Sequence, residues 1–386
     1  MRGHIKQRSK GSWTIVLDLG RDPASGKRKQ QWVTIRGTKK QAETKLAELQ
    51  HQLDSGGYIK PTKETVGSFL QRYLDDYIGT QVRPNTLEGY RQRGKHLIAG
   101  LGYIALANLK PEDIHRYYKE KSKTLSAATL VKHHNLLRAA LSQAVKWQTL
   151  PRNVAEAVDP PRAERKEMRA LSSSEVHLML EACEGKPWHS IFHTLTWTGL
   201  RRSELLGLRW KDVDLDLATL RVVQTLHKLN SGTFIYQEPK TSSGRRSIAL
   251  SPTSCLILRG HREKQASDAA IRGKDLTEDT LVFSHADGSP RVPSTLTLAF
   301  RRLIRSIGLQ GVRLHDLRHT MASLYLQQGV SPKTVAERLG HASVTITLDL
   351  YSHCLPGVQE AAAAQFDMAM EEAKSASTEE TPAQVR

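Results

Sequence analysis

"LHDLRHTMAS", Leu314 to Ser323, is the stretch on which the reading of this chain turns. Positions three and four apart on a helix are neighbours, so His315, Arg318 and His319 share one face beside the apolar Leu314, Leu317 and Met321. Such a face gathers hydrogen-bond donors. It is either a solvated surface or a seat for an anion, and the segments around it have to decide which.

Three further segments lie in the same part of the chain. In "TGLRRSELLGLRW", Gly199 is placed to break one helix, and Arg201, Ser203 and Glu204 fall in the first turn of the next. An arginine there joins a helix N-terminus whose amides favour an anion, and Glu204, three residues on, is spaced to orient its guanidinium. In "EPKTSSGRRSIAL", Lys240 opens a Ser and Gly turn between two strands, which puts it on a mobile hairpin tip. Alone it would carry no weight. In "SPKTVAERLGHASVTITLDLYSH", Ser331 caps a helix with Pro332 at its first position, Gly340 closes it after Leu339, and His341 follows that end. Tyr351 stands ten residues later, flanked by Leu348, Leu350 and Ser352.

Composition narrows the partners. The chain has 386 residues, room for two or three domains, and 57 Lys and Arg against 39 Asp and Glu give a formal charge of +18. A polyanion partner is favoured, although charge by itself does not separate DNA from RNA, ribosomes or acidic proteins. The three cysteines, Cys183, Cys255 and Cys354, form no CxxC pair, so neither a disulfide framework nor a cysteine zinc site is indicated. The opening "MRGHIKQRSKGSW" lacks an apolar core, and no apolar run reaches the roughly 18 residues of a membrane span. The expectation is a soluble, internal protein of a reducing cytoplasm, with no membrane partner.

Four segments divide the chain. Residues 1–60 read as a small α+β unit: strand patterns "GSWTIVLDLG" and "KQQWVTIRG", then a helix over Lys39–Asp54. This segment holds 13 basic and 5 acidic residues, and its tryptophans, Trp13 and Trp32, either enter a DNA groove or pack on the helix. Residues 62–160 are helical in pattern with basic polar faces, as expected of an all-α bundle. A linker with paired prolines, "VDPPRAERKEMRA", leads to residues 171–355, a mainly α unit with a small antiparallel sheet built from "ATLRVVQTL", "TFIYQEPK" and "RRSIAL". In the tail, 356–386, Val358, Ala362, Phe366 and Met370 recur every four residues, a stripe suited to docking in cis or on a neighbour.

"TGLRRSE", the lysine of "EPKTSSG", "HDLRH" and "LGHASVTITLDLYSH", in this order and at these separations, resemble the tyrosine recombinases of the phage integrase family. The likeness is specific over about 180 residues of the third unit, and the preceding units extend it as patterns. It implies a multidomain fold: a small α+β arm-type DNA-binding domain, an all-α core-binding bundle and a mainly α catalytic domain. It implies a site-specific recombinase that cleaves and rejoins DNA through a 3′-phosphotyrosine. Carried over by position, Arg201 and Arg318 clamp the scissile phosphate, Lys240, His315 and His341 surround it, and Tyr351 is the nucleophile. Glu204 matches the acidic partner of the first arginine, and His319 a histidine without a direct chemical role. The resemblance also implies double-stranded DNA with core-type and arm-type sites, a homotetramer on that DNA, and DNA-bending and directionality factors.

The chemistry suits these residue types. Paired guanidinium donors hold the non-bridging oxygens of a phosphodiester and strengthen as charge develops there. A phenol with a pKa of about 10 has to shed its proton, for which His315 is the expected acceptor, and Lys240 is the expected acid for the leaving 5′ oxygen. No cofactor is required, since the phosphotyrosine conserves the bond energy. A zinc site on His315 and His319 is disfavoured, because Arg318 lies between them and the glutamate of HExxH is missing. Two other readings stand beside this one: a type IB topoisomerase, and a DNA-binding regulator in which Tyr351 is only a core aromatic.

Overall fold

The computed structural model describes residues 3–21, 26–54, 63–164 and 168–351, and beyond them 363, 364, 366–371 and 374. The chain divides into two compact units, Met1–Arg165 and Lys166–Arg386.

The first unit opens with three antiparallel strands, β1 (Gly3–Ser9), β2 (Ser12–Arg21) and β3 (Arg28–Arg36), followed by α1 (Lys39–Asp54). β1 is an addition to the two expected strands. Alternation along β2 puts Ile15 and Leu17 on one face, fully buried with Leu49 against Ile5, Val33, Ile35 and Leu46. The two tryptophans part company. Trp13 pairs with Ile35 on the helix-covered face, whereas Trp32, opposite Val16, stands 63% exposed on the other.

Beyond it in the chain are α2 (Val66–Arg72), α3 (Pro84–Leu101), α4 (Pro111–Lys121) and α5 (Ala127–Lys146). Thr65 and Ser68 form a reciprocal capping box on α2, and Pro84 and Pro111 each open a helix where no N–H is needed. Phe69, Leu70, Leu97, Leu137 and Leu141 make the fully buried centre of this bundle.

The second unit runs α6 (Ser173–Glu181), α7 (His189–Thr198), α8 (Arg202–Leu206), β4 (Val213–Asp214), β5 (Thr219–Val222), β6 (Thr225–Lys228), β7 (Phe234–Gln237) and β8 (Arg246–Ala249). The helices α9 (Pro252–Ala270), α10 (Pro293–Ser306), α11 (Asp316–Gln327), α12 (Pro332–Leu339) and α13 (Val344–Tyr351) complete it. Two small sheets stand where one was expected: β4-β5-β8 and the hairpin β6-β7. β8 pairs with β5 rather than with β7.

Trp210, Phe192, Phe283 and Phe300, each at most 1% exposed, anchor the main core of this unit. A separate cluster of Met321, Leu326, Val335 and Leu339 takes in Tyr351 itself. In the tail, the described residues 363–374 are helical, and Phe366 and Met370 are exposed, at 63% and 53%. Val358 and Ala362 of the expected stripe lie outside the described residues.

Candidate active site

Arg318 is the hub. It is buried, 3% exposed, and its Nη1 donates to the Gly199 carbonyl at 2.7 Å while Nη2 donates to the Leu339 carbonyl at 2.5 Å. Both acceptors lie at helix C-termini, those of α7 and α12, where carbonyls lack intrahelical partners and the dipole favours a cation. One guanidinium thereby ties together the segment leading to Arg201 and the segment leading to His341. Gly199 has φ of 64°, and a Cβ there would strike Met321 and come within 2.9 Å of Leu339, so the residue is glycine for conformation and for space. Burial first, then the neighbouring Arg201, lowers the Arg318 pKa to about 9, which leaves it cationic at neutral pH.

Arg201 caps α8, with 40% of its side chain exposed and its Nη1 2.7 Å from Glu204 Oε1. Its backbone N–H donates to the other oxygen of Glu204, at 2.9 Å. The open helix N-terminus expected here is not what forms. α8 is five residues long and its cap N–H is already satisfied, so Arg201 presents a guanidinium rather than helix amides.

Glu204, 3% exposed, also accepts from Arg246 Nη2 at 2.9 Å and from its Nη1 at 3.3 Å. Burial opposes the Glu204 charge, but the Arg246 hydrogen bonds and the Arg246 and Arg201 charges outweigh it and lower the pKa. Arg246 reaches further, donating to the carbonyls of Arg338 at 2.7 Å and Gly244 at 3.2 Å. Sequence reasoning missed Arg246. The available signal was its place in step with the buried Ile248 and Leu250, on the inward side of a strand.

The three histidines make different contacts. His315 precedes α11 and stays exposed, its ring edge-on to His319 with centroids 5.0 Å apart. Packing around the ring, then Arg318 and Arg201, lowers its pKa. The ring that meets the phenol is His319: its Nδ1 lies 2.5 Å from Tyr351 Oη. Burial and then His315 bring its pKa to about 4. His341 follows Gly340, which closes α12 at φ of 67°, and its Nδ1 lies 2.8 Å from Thr347 Oγ1. Burial, then Arg318, Arg201 and Arg246, bring its pKa to about 4 as well.

Lys240 is the exception. It is exposed, in the connection between β7 and the turn at Ser242–Gly244, and hydrogen-bonds no described residue. It occupies no hairpin tip: the hairpin of β6 and β7 turns at 229–233, and β7 and β8 belong to different sheets. Arg201, Glu204, His315, Arg318, His319, His341 and Tyr351 form one cluster; Lys240 stands apart from their hydrogen bonds. Among the described residues, no group of three His, Cys, Asp or Glu is placed to hold a metal ion. No helix among them is long and apolar enough to cross a membrane.

The profile described as "Phage integrase family" matches residues 169–356, and "Phage integrase, N-terminal SAM-like domain" matches residues 65–122. A protein named Tyrosine recombinase XerC-like from Caldanaerobacter subterraneus is 28% identical over 366 residues, covering 89% of this chain and 93% of that one. The ICEBs1 integrase of Bacillus subtilis is 26% identical over 372 residues, covering 94% and 99%. In fold, the chain is similar to the Tn1549 transposon integrase in complex with a circular intermediate DNA, at a TM-score of 0.68, 22% identity and coverage of 78% and 99%. It is similar also to a lambda integrase tetramer bound to a Holliday junction, at a TM-score of 0.58, 21% identity and coverage of 90% and 94%. The chain belongs to the phage integrase family of tyrosine recombinases, and it is a site-specific DNA recombinase.

Proposed function

We propose that Tyr351 attacks a DNA phosphodiester held between Arg201 and Arg318, so that a phosphorus–oxygen bond to the phenol forms and the bond to the 5′ oxygen breaks. The observation that carries this reading is the bridge from Arg318 to the carbonyls of Gly199 and Leu339, which brings the Arg201 and His341 segments to one guanidinium. Loss of one such donor in the transition state costs about 2.7 to 4 kcal/mol, or roughly 100- to 1000-fold in rate.

The phenolic proton needs an acceptor, because reaching the phenolate at neutral pH from a pKa of about 10 costs roughly 4 kcal/mol. The 2.5 Å contact supports His319 in this role, with the His315 ring set edge-on against it. Bound phosphate offsets the positive charge that helps depress His319 and so makes it a better base. His341 is read as a hydrogen-bond donor to the phosphate. Lys240 is read as the acid that returns a proton to the 5′ oxygen. A second DNA strand then attacks the phosphotyrosine, and no cofactor enters.

The open face of the N-terminal sheet, with Trp32, His4, Lys6 and Arg36 clear of the helix-covered core, supports arm-type DNA binding by residues 1–60. Residues 62–160 then serve as the core-binding domain, 171–355 as the catalytic domain and 356–386 as a docking tail. The likeness to an integrase tetramer on a Holliday junction supports a homotetramer on DNA, with bending and directionality factors as further partners in a bacterial cytoplasm or nucleoid. Neither a topoisomerase nor a regulator without chemistry is favoured by any observation.

The test is covalent trapping. A nicked duplex carrying the junction sequence of the element that encodes this chain should leave an adduct on Tyr351, and Tyr351→Phe should leave none. An adduct mapped to another residue, or no adduct on any cognate junction, overturns the assignment.

A further inference from the structure

Two hydrogen bonds to imidazole, one helical turn apart, fasten α13. Tyr351 Oη meets His319 Nδ1 at 2.5 Å, and Thr347 Oγ1 meets His341 Nδ1 at 2.8 Å. Thr347 and Tyr351 are four residues apart, share one face and are the buried residues of the helix. Nothing in the mechanism above uses Thr347.

The direction of the Thr347 bond follows from what a buried hydroxyl has to satisfy. Threonine has one hydroxyl proton and two lone pairs. Thr347 is 0% exposed, and His341 Nδ1 is its hydrogen-bond partner among the described residues. Were Nδ1 to carry the proton, the hydroxyl hydrogen would lie buried with no acceptor, an arrangement folded proteins avoid. If the hydroxyl donates instead, both groups are satisfied and Nδ1 is the bare nitrogen. The neutral ring then carries its proton on Nε2, which has no hydrogen-bond partner among the described residues. Burial and the three surrounding arginines hold this imidazole near 4, so at neutral pH the uncharged ring is present and its tautomer matters.

We infer that Thr347 is a positioning residue of the strand-transfer site: its hydroxyl fixes His341 in the Nε2–H tautomer, so that the open nitrogen is a donor toward the phosphate, and ties that donor to the helix that carries Tyr351. The inference rests on the reading of Arg201, Arg318 and Tyr351 as the phosphate site. The coupling is economical, since one hydroxyl sets both the chemical identity of the donor and its distance from the nucleophile.

The decisive measurement is long-range proton–nitrogen NMR on the full-length chain labelled with nitrogen-15 histidine, without DNA, with His341 assigned by signal loss in His341→Gln. The expected result at neutral pH is an Nε2–H ring in the native protein and in Thr347→Ser, and a shift toward Nδ1–H in the isosteric Thr347→Val. A native His341 protonated on Nδ1, or a tautomer unchanged in Thr347→Val, overturns the inference. Should Thr347→Val not fold, the native protein and Thr347→Ser still decide it through the tautomer.

On the nicked junction duplex, Thr347→Val should slow adduct formation by about tenfold with DNA affinity unchanged, and Thr347→Ser should restore the rate. Equal rates in all three, with the adduct still on Tyr351, would sink the role of Thr347 and leave the phosphate site standing. An adduct that persists in Tyr351→Phe would sink the site reading itself, whatever the tautomer.

Discussion

Glu204 carries a negative charge in the protein interior and survives there because Arg201 and Arg246 both reach it. With side chains 2% and 6% exposed, the Glu204–Arg246 pair has little water to replace a lost partner. Arg246→Ala should therefore cost about 3 to 5 kcal/mol of stability by denaturant unfolding, most of it from a buried carboxylate left with Arg201 as its remaining cation. Because the folded Glu204 pKa is lowered, its contribution is full above the ordinary glutamate value and is lost as pH falls through the lowered one. His193 is the opposite case. It is buried and stacked on Trp197 at 4.1 Å, neither ring nitrogen has a hydrogen-bond partner among the described residues, and burial brings its pKa from 6.5 to about 4. Between those values the unfolded chain binds a proton that the folded one refuses, so stability falls as pH drops from 6.5 toward 4. His193→Phe should remove one proton from that slope in urea unfolding measured across the window. An unchanged slope would mean that the buried ring does not resist protonation.

At the scale of elements, the site is held by helix ends. The Gly199 turn and the Gly340 turn are left-handed C-caps of α7 and α12, and the carbonyls beside them are what Arg318 grips. Gly199→Ala should destabilise the chain by at least about 1 kcal/mol, from positive φ and from the collision with Met321 and Leu339. It should also slow adduct formation on the nicked junction, because the turn sets where Arg201 begins. Loss of stability with a native cleavage rate would show that the turn does not position the arginines. In contrast, α13 is short and presents Ile346 and Leu348 to solvent, at 41% and 42% exposure. Its hold on the core is the Thr347 and Tyr351 face, so Tyr351 and Thr347 are attached through His319 and His341.

For the molecule as a whole, a charge of +18 makes DNA affinity strongly dependent on salt, since each phosphate neutralised releases counterions. If the exposed sheet face binds DNA, deleting residues 1–60 should lower the slope of affinity against salt on long junction DNA and leave adduct formation on a short core duplex in place. Deleting residues 357–386, whose Phe366 and Met370 stand exposed, should impair synapsis measured by junction formation more than binding to a single site. Equal loss of both would argue that the tail stabilises its own unit instead.

What this sequence determined by itself was local and ordered along the chain. Apolar periodicity marked α1 at Lys39–Asp54, and Ser331 and Gly340 bounded α12, because caps and helical periods act over a few residues; Arg201, Arg318 and Tyr351 were singled out by the resemblance of their segments to the tyrosine recombinases. Tertiary structure decided which imidazole meets the phenol, since His315 and His319 share one helix face and only packing against α13 selects between them. It decided also that β8 leaves β7 for β5, that Lys240 stands off a hairpin tip, and that Arg246 completes the charge on Glu204. Those outcomes depend on contacts between residues dozens of positions apart, and on burial, which no short-range spacing encodes.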